Sequence, residues 1–234
     1  MKRQLKNNTT THILIAVICL CAGTSMAFLG FESWKIDAGL MRTNCRAARA
    51  VAEDLGGDPD GGIAIIADIQ TRNIYGDQTT KMKLRYGVLI STLHEWNYWN
   101  TPDTLAQIYD ERAGHGYGAY RVAFSPEIFT NRGNFEFSFG AGIGFGFSKH
   151  FVDDNVGLND NEDVFEGFIR PQVSIAYGEN RKAELTIGYH QPFLGTYGEY
   201  WYYDTNWESV HYSFSPSELA GAFVKLGYVF STHR

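Results

Sequence analysis

The chain has 234 residues, 20 basic against 26 acidic, with 25 Gly, 14 Tyr, 16 Phe and 5 Trp. At 44% hydrophobic and 20% charged it is not intrinsically disordered, and a net charge of −6 without a basic run excludes a nucleic-acid binder. The length suits one domain with a full core, and the excess of glycine and aromatic residues favours strands.

Residues 1–27 read as an export signal. Lys2, Arg3 and Lys6 form a positive start, Ile13 to Ala22 an apolar stretch, and Ser25-Met26-Ala27 places small residues at a cleavage site. An apolar run of about ten residues is too short to cross a bilayer roughly 30 Å thick as a helix. Bulky residues precede Cys19 and Cys21, which argues against a lipoprotein signal. Cleavage after Ala27 removes three positive charges and no negative ones, leaving a net charge of −9. It also leaves Cys45 as the one cysteine, so no intrachain disulfide is expected.

After residue 27 the chain alternates, and side chains on a strand alternate between faces. In order, Trp34, Ile36, Ala38 and Leu40 oppose Lys35, Asp37, Gly39 and Met41; Ile63, Ile65, Ala67 and Ile69 oppose Ala64, Ile66, Asp68, Gln70 and Arg72. Met82 to Ile90 alternates against Lys83, Arg85, Gly87, Leu89 and Ser91, and Tyr120 to Ile128 against Arg121, Ala123, Ser125 and Glu127. The fifth segment is the strongest: every odd position from Phe135 to Phe147 is apolar, and every even one from Glu136 to Ser148 is glycine, serine or glutamate. Phe165 to Tyr177, Ala183 to Tyr189 and Ala220 to Phe230 complete eight predicted strands.

The connections sort by parity. Short turns at Gly76–Thr80, Asn131–Asn134 and Gly178–Arg181 alternate with long loops near Thr43–Gly61, Asn97–Gly116, Val152–Asp163 and Gly195–Ser217. Outer-membrane barrels are built this way, with turns on the periplasmic side and loops outside. A soluble sandwich would also turn its apolar face inward, whereas here the polar face carries charges on every strand. The expected fold is all-β: an eight-stranded antiparallel up-and-down transmembrane β-barrel at 28–234, after a cleaved signal peptide at 1–27, in the cell outer membrane.

From Trp34 to Phe230 the chain resembles the superfamily of small eight-stranded bacterial outer-membrane barrels. Leu226-x-Tyr228-x-Phe230 is similar to their C-terminal insertion signal, although Ser231 to Arg234 follow it. Phe139-Gly140-Ala141-Gly142-Ile143-Gly144 loosely resembles a strand of the lipid A 3-O-deacylases. That family's His-x-Ser pair is missing, because Gln191 and Pro192 follow His190. The superfamily includes adhesins, structural anchors, pores and lipid A enzymes, so the resemblance implies architecture and leaves function open.

The inward face carries Lys35, Arg72, Lys83, Arg85, Arg121, Arg170 and Lys225 against Asp37, Asp68, Glu127, Glu136, Glu166 and Glu184. An eight-stranded barrel is just wide enough to be filled by side chains, and charges there need partners. Toward the outer end, Gly142, Gly144 and Gly146 fill almost nothing. Either large neighbours lean into that space, or a vestibule opens above a charged plug, lined by Arg121, Glu166, Arg170 and His190 as ligand-binding residues.

No catalytic residue is assigned: His190 has no evident nucleophile in reach, and His94 and Glu95, adjacent on a strand, point to opposite faces, with His94 expected beside Trp96 and Tyr98 in the interfacial aromatic belt. The seven histidines are scattered and no metal or other cofactor is expected. The last loop concentrates aromatic residues between Tyr197 and Phe214, with Trp201, Tyr203 and Trp207 the expected anchors for a glycan or protein ligand. The Ala-rich segment 46–55 reads as a short surface helix without an assigned role. The functional expectation is a structural or surface-binding barrel in contact with outer-membrane lipid and lipopolysaccharide. A narrow pore and a lipid A-modifying hydrolase or acyltransferase are the alternatives.

Overall fold

The computed structural model describes residues 31–43, 53, 63–75, 81–100, 112–153, 163–179, 181–203, 206 and 208–231. The export signal, Cys45, Trp207 and all of segment 46–55 except Glu53 lie outside these. In chain order the strands are β1 (Ser33–Thr43), β2 (Ile63–Tyr75), β3 (Lys83–Tyr86), β4 (Val88–Asn100), β5 (Arg112–Phe124), β6 (Glu127–Arg132), β7 (Phe135–Asp153) and β8 (Asp163–Tyr177). They continue with β9 (Arg181–Gly195), β10 (Gly198–Tyr203), β11 (Ser209–Phe214) and β12 (Gly221–Ser231).

Ten of these strands make eight staves, because β3 with β4 and β5 with β6 are each one stave interrupted once. Every pairing is antiparallel, and β1 bonds both β2 and β12, so the sheet closes on itself. Closure removes the unpaired edge that a sheet in lipid could not tolerate. The two interruptions face each other and have a local cause. Pro126 has no N–H to continue a ladder, and Gly87 and Ser125 exchange both backbone hydrogen bonds across the break, at 3.2 and 2.8 Å. Val88 N–H donates to the Thr71 hydroxyl at 2.9 Å, and a side chain at Gly87 would strike the Thr71 carbonyl.

Polarity is inverted relative to a soluble protein. Leu40, Ile65, Ile90, Phe124, Phe139, Ile143, Phe145, Phe147, Val173, Ile187 and Val224 all face outward and are exposed, while their alternating neighbours are buried or half-buried. Rings collect at the end where the chain turns are short: Trp34 stacks on Phe230 with centroids 4.2 Å apart, and Phe135 meets Tyr177 at 5.0 Å. An apolar outer band with such a girdle is the pattern of membrane-spanning barrels.

Two expected loops are shorter than the sequence pattern implied. Strands β4 and β5 stay paired as far as Asn100 and Arg112, and β7 runs to Asp153. Hydropathy stops alternating at the edge of the apolar band, but backbone pairing does not. The last long loop contains the separate hairpin of β10 and β11, followed by a 3₁₀ turn at Pro216–Leu219 that buries Leu219.

Candidate functional site

The lumen is filled from the turn end upward by one connected chain of ion pairs. Lys182 bonds Glu136, which bonds Arg85, which bonds Glu127. Arg72 lies 3.5 Å from Glu127 and 2.7 Å from Glu184, and Lys35 is 3.0 Å from Glu184 and 2.8 Å from Asp37. Lys225 joins Asp37 at 3.1 Å and also contacts Asp68, which holds Arg170 at 3.0 Å. All eight staves contribute a member. Single buried pairs gain little over apolar packing, but a network reaching every stave ties non-adjacent strands across the lumen.

Neutral groups take up further lone pairs and donors. Gln70 and Gln172 both donate to Glu127 Oε1, at 2.7 and 3.2 Å, and Arg170 Nη2 donates to Ser91 at 2.8 Å. The Phe223 ring receives Arg170 at 5.2 Å and Lys225 at 5.0 Å, both as cations over its face.

Above Arg170 the lumen changes character. Leu89, Ala123 and Phe168 form a buried apolar layer, and Ile66, Leu93, Ala119 and Met41 are buried as well. Sequence alternation marked Met41, Ile66, Leu89, Ala123 and Phe168 as inward and did not reach Leu93 or Ala119, and the small share of them on any one strand concealed that they form a layer. Beyond Phe168, Arg121 Nε bonds Glu166 Oε1, and His190 Nε2 lies 3.2 Å from Glu166 Oε2. The imidazole also meets the Phe168 ring, with centroids 4.7 Å apart.

Of the four residues expected to line a vestibule, the fold therefore unites Arg121, Glu166 and His190 and gives Arg170 to the lower network. All four are at most 3% exposed. The space beside the glycines of β7 is occupied: a Cβ at Gly146 would sit 2.7 Å from Arg121 Cγ, and one at Gly142 would lie 3.4 Å from Leu89 Cδ2. Sequence reasoning missed Lys182, half-buried beside Glu136, and Glu95, whose buried carboxylate accepts a bond from Thr43 at 2.9 Å. Both are visible in hindsight as inward-phase positions at strand ends, where alternation is weakest.

On the loop side, the β10–β11 backbone register pairs Tyr200 with Tyr212, Trp201 with His211 and Tyr203 with Ser209. Two of the three expected anchors, Trp201 and Tyr203, thus stand on one strand of a hairpin that is not bonded into the barrel sheet among the described residues.

No family model matches the chain, and no curated protein matches it. Among solved structures it is similar to Neisserial surface protein A, with a TM-score of 0.46 and 8% identity over 86% of this chain and 97% of that one. It is also similar to a major outer membrane protein from Thermus thermophilus, with a TM-score of 0.45 and 9% identity over 85% and 98% of the two chains. A third is Ail, the attachment invasion locus protein of Yersinia pestis, solved with the heparin analogue sucrose octasulfate. There the TM-score is 0.38 and identity 9%, over 84% of this chain and 95% of that one.

Proposed function

We propose that this chain is an integral outer-membrane barrel whose cross-linked lumen serves as a rigid scaffold and whose outer hairpin makes the functional contact. On this reading residues 1–27 direct export and are removed, and the apolar band of the barrel sits in lipid beside lipopolysaccharide. The observation that carries the proposal is the contrast between the two ends. The lower lumen is closed by ion pairs from every stave, whereas β10 and β11 form a two-stranded sheet of their own beyond the barrel. Loops on a rigid scaffold are where binding surfaces arise, and large rigid aromatic residues dominate binding energy where a surface does bind. The ligand class is a glycan or a partner protein of the cell exterior, with Trp201, Tyr203 and Trp207 as anchors.

The test is a deletion of Gly198 to His211, with the hairpin closed by Asn-Gly. Binding of expressing cells to glycan arrays and to host or envelope extracts is expected to fall sharply, while heat-modifiable migration on gels still reports a folded, inserted barrel. Loss of insertion, or no binding in the parent protein, would show the hairpin to be architecture. N-terminal sequencing of the mature protein checks the export segment, with Phe28 expected first.

A further inference from the structure

The seam between β8 and β9 is a weak line in the barrel wall. Its neighbours, β7 with β8 and β9 with β12, pair residue by residue without a gap. Between β8 and β9 Phe168 pairs with Pro192 but Gly167 with Leu194, so Phe193 is an extra residue in a bulge. Further down, no ladder pair joins Arg170 or Pro171 to β9. Pro171 and Pro192 have no N–H to give. The Pro192 carbonyl accepts from the side chain of Gln191 at 2.8 Å, and Gln191 stands on the exposed outer face as the partner of Ile169. The break at Gly87 and Ser125, by contrast, is closed by two backbone bonds. Backbone left outside a ladder is expensive in hydrocarbon, and bulges collect beside functional sites.

Behind this seam lies the cluster of Arg121, Glu166 and His190. Glu166 is two residues before Phe168 on β8, and His190 is two before Pro192 on β9. The Phe168 layer closes the cluster from below. Toward the loops the 3₁₀ turn buries Leu219 and sets Pro216 against Gly195, the partner of Glu166. Arg121 gives Nε to Glu166, but its buried Nη1 and Nη2 have no acceptor among the described residues. A guanidinium is always protonated, so both nitrogens are donors in every state of the protein. Glu166 already balances the Arg121 charge, which favours a neutral acceptor over a second anion. Lys149 ends the outward apolar run of β7 and pairs with Asp163, three residues from Glu166. The cluster thus lies just inside the edge of the apolar band, the level of the carbonyls that join acyl chains to a lipid.

We propose that the β8–β9 seam opens sideways between Pro171 and Pro192 and admits the acyl end of an outer-membrane lipid, whose ester carbonyl accepts from Arg121 Nη1 and Nη2. The rest of the lipid stays outside, along Ile169, Phe193 and Leu194, which are exposed on the wall. This rests on the membrane-spanning reading above.

The test uses the full chain with Cys45→Ser, reconstituted with a diacyl phosphatidylethanolamine or with its dialkyl ether analogue of equal chain length, which lacks the carbonyls. Retained lipid is counted by native mass spectrometry, and insertion is checked by heat-modifiable migration. Ile169→Cys with Gln191→Cys staples the seam, since cross-strand partners lie within the span of a disulfide. Reduced, this protein is expected to retain the ester lipid roughly fivefold better than the ether, the worth of about one hydrogen bond. Oxidised, it should show no preference, and reductant should restore it. A staple across the unbroken β7–β8 seam, Ile143→Cys with Ile169→Cys, should leave the preference unchanged. Arg121→Lys keeps a cation for Glu166 but loses the paired Nη donors, and it should abolish the preference; if it fails to insert, the staple decides alone. Equal retention of the two lipids by the unstapled protein overturns the proposal although the barrel inserts, and so does a preference that survives the oxidised β8–β9 staple or an inserted Arg121→Lys. Failure of the unstapled protein to insert overturns the membrane reading itself, and this site with it.

Discussion

Arg72 holds Glu184 through two parallel hydrogen bonds, Nη1 to Oε2 at 2.7 Å and Nη2 to Oε1 at 2.9 Å, and both side chains are buried. Arg72 is on β2 and Glu184 on β9, with β1 and β12 between them in the sheet, so the pair spans the lumen and does not simply follow the ladder. Bidentate geometry of this kind combines strength with orientation.

Breaking that pair strands a buried charge. Arg72→Met or Glu184→Gln is expected to cost about 3–5 kcal/mol, read as a lower urea midpoint by tryptophan fluorescence in lipid vesicles. Glu136→Gln should cost less, because its partner Lys182 retains 21% side-chain exposure and reaches water. Equal tolerance at all three positions would mean that the inward faces are wrongly phased.

Ile143 and Gly144 are adjacent on β7 and point to opposite faces. Ile143 is 50% exposed on the apolar band, so Ile143→Arg is expected to destabilise by about 2–4 kcal/mol near the bilayer centre. At Gly144 any side chain would run into the Ala123 backbone, so Gly144→Leu should hinder folding in detergent as well as in lipid. Normal folding of Ile143→Arg in vesicles would contradict the membrane placement.

The lower network and the Phe168 layer together predict an electrically silent barrel. Planar-bilayer recordings of the parent protein should show no steady conductance. Phe168→Ala removes the ring that separates Arg170 from Glu166, and it is expected to cost about 3–5 kcal/mol as a core truncation. A stable open level in the parent would favour the pore reading instead.

Gly133 turns β6 into β7 with φ at 62°, and a Cβ there would meet nothing within 4 Å. Gly133→Ala therefore isolates backbone strain, with an expected cost of about 1–2 kcal/mol. Gly133→Asn should recover part of it, since asparagine visits this region more readily. The comparison is again one of urea midpoints.

Inward and outward phase was readable from sequence along all eight staves, since period two is a property of one strand and needs no partner. Phe135 to Phe147 is the clearest case: the odd positions named the wall and the even ones the lumen. Strand ends were less legible. Beyond Trp96 and Val152 the chain leaves the apolar band, and alternation no longer distinguishes a strand in water from a loop.

Local pattern thus determined the number of staves, the inverted polarity and the supply of nearly balanced charge inside. Which charge meets which was settled only in three dimensions. Closing the sheet brings Arg72 to Glu184 and Lys225 to Asp68 across 112 and 157 residues of chain, and no spacing in one strand encodes a neighbour on a non-adjacent stave. The Phe168 layer has the same origin, because its members come singly from several staves and become contiguous only when the barrel closes.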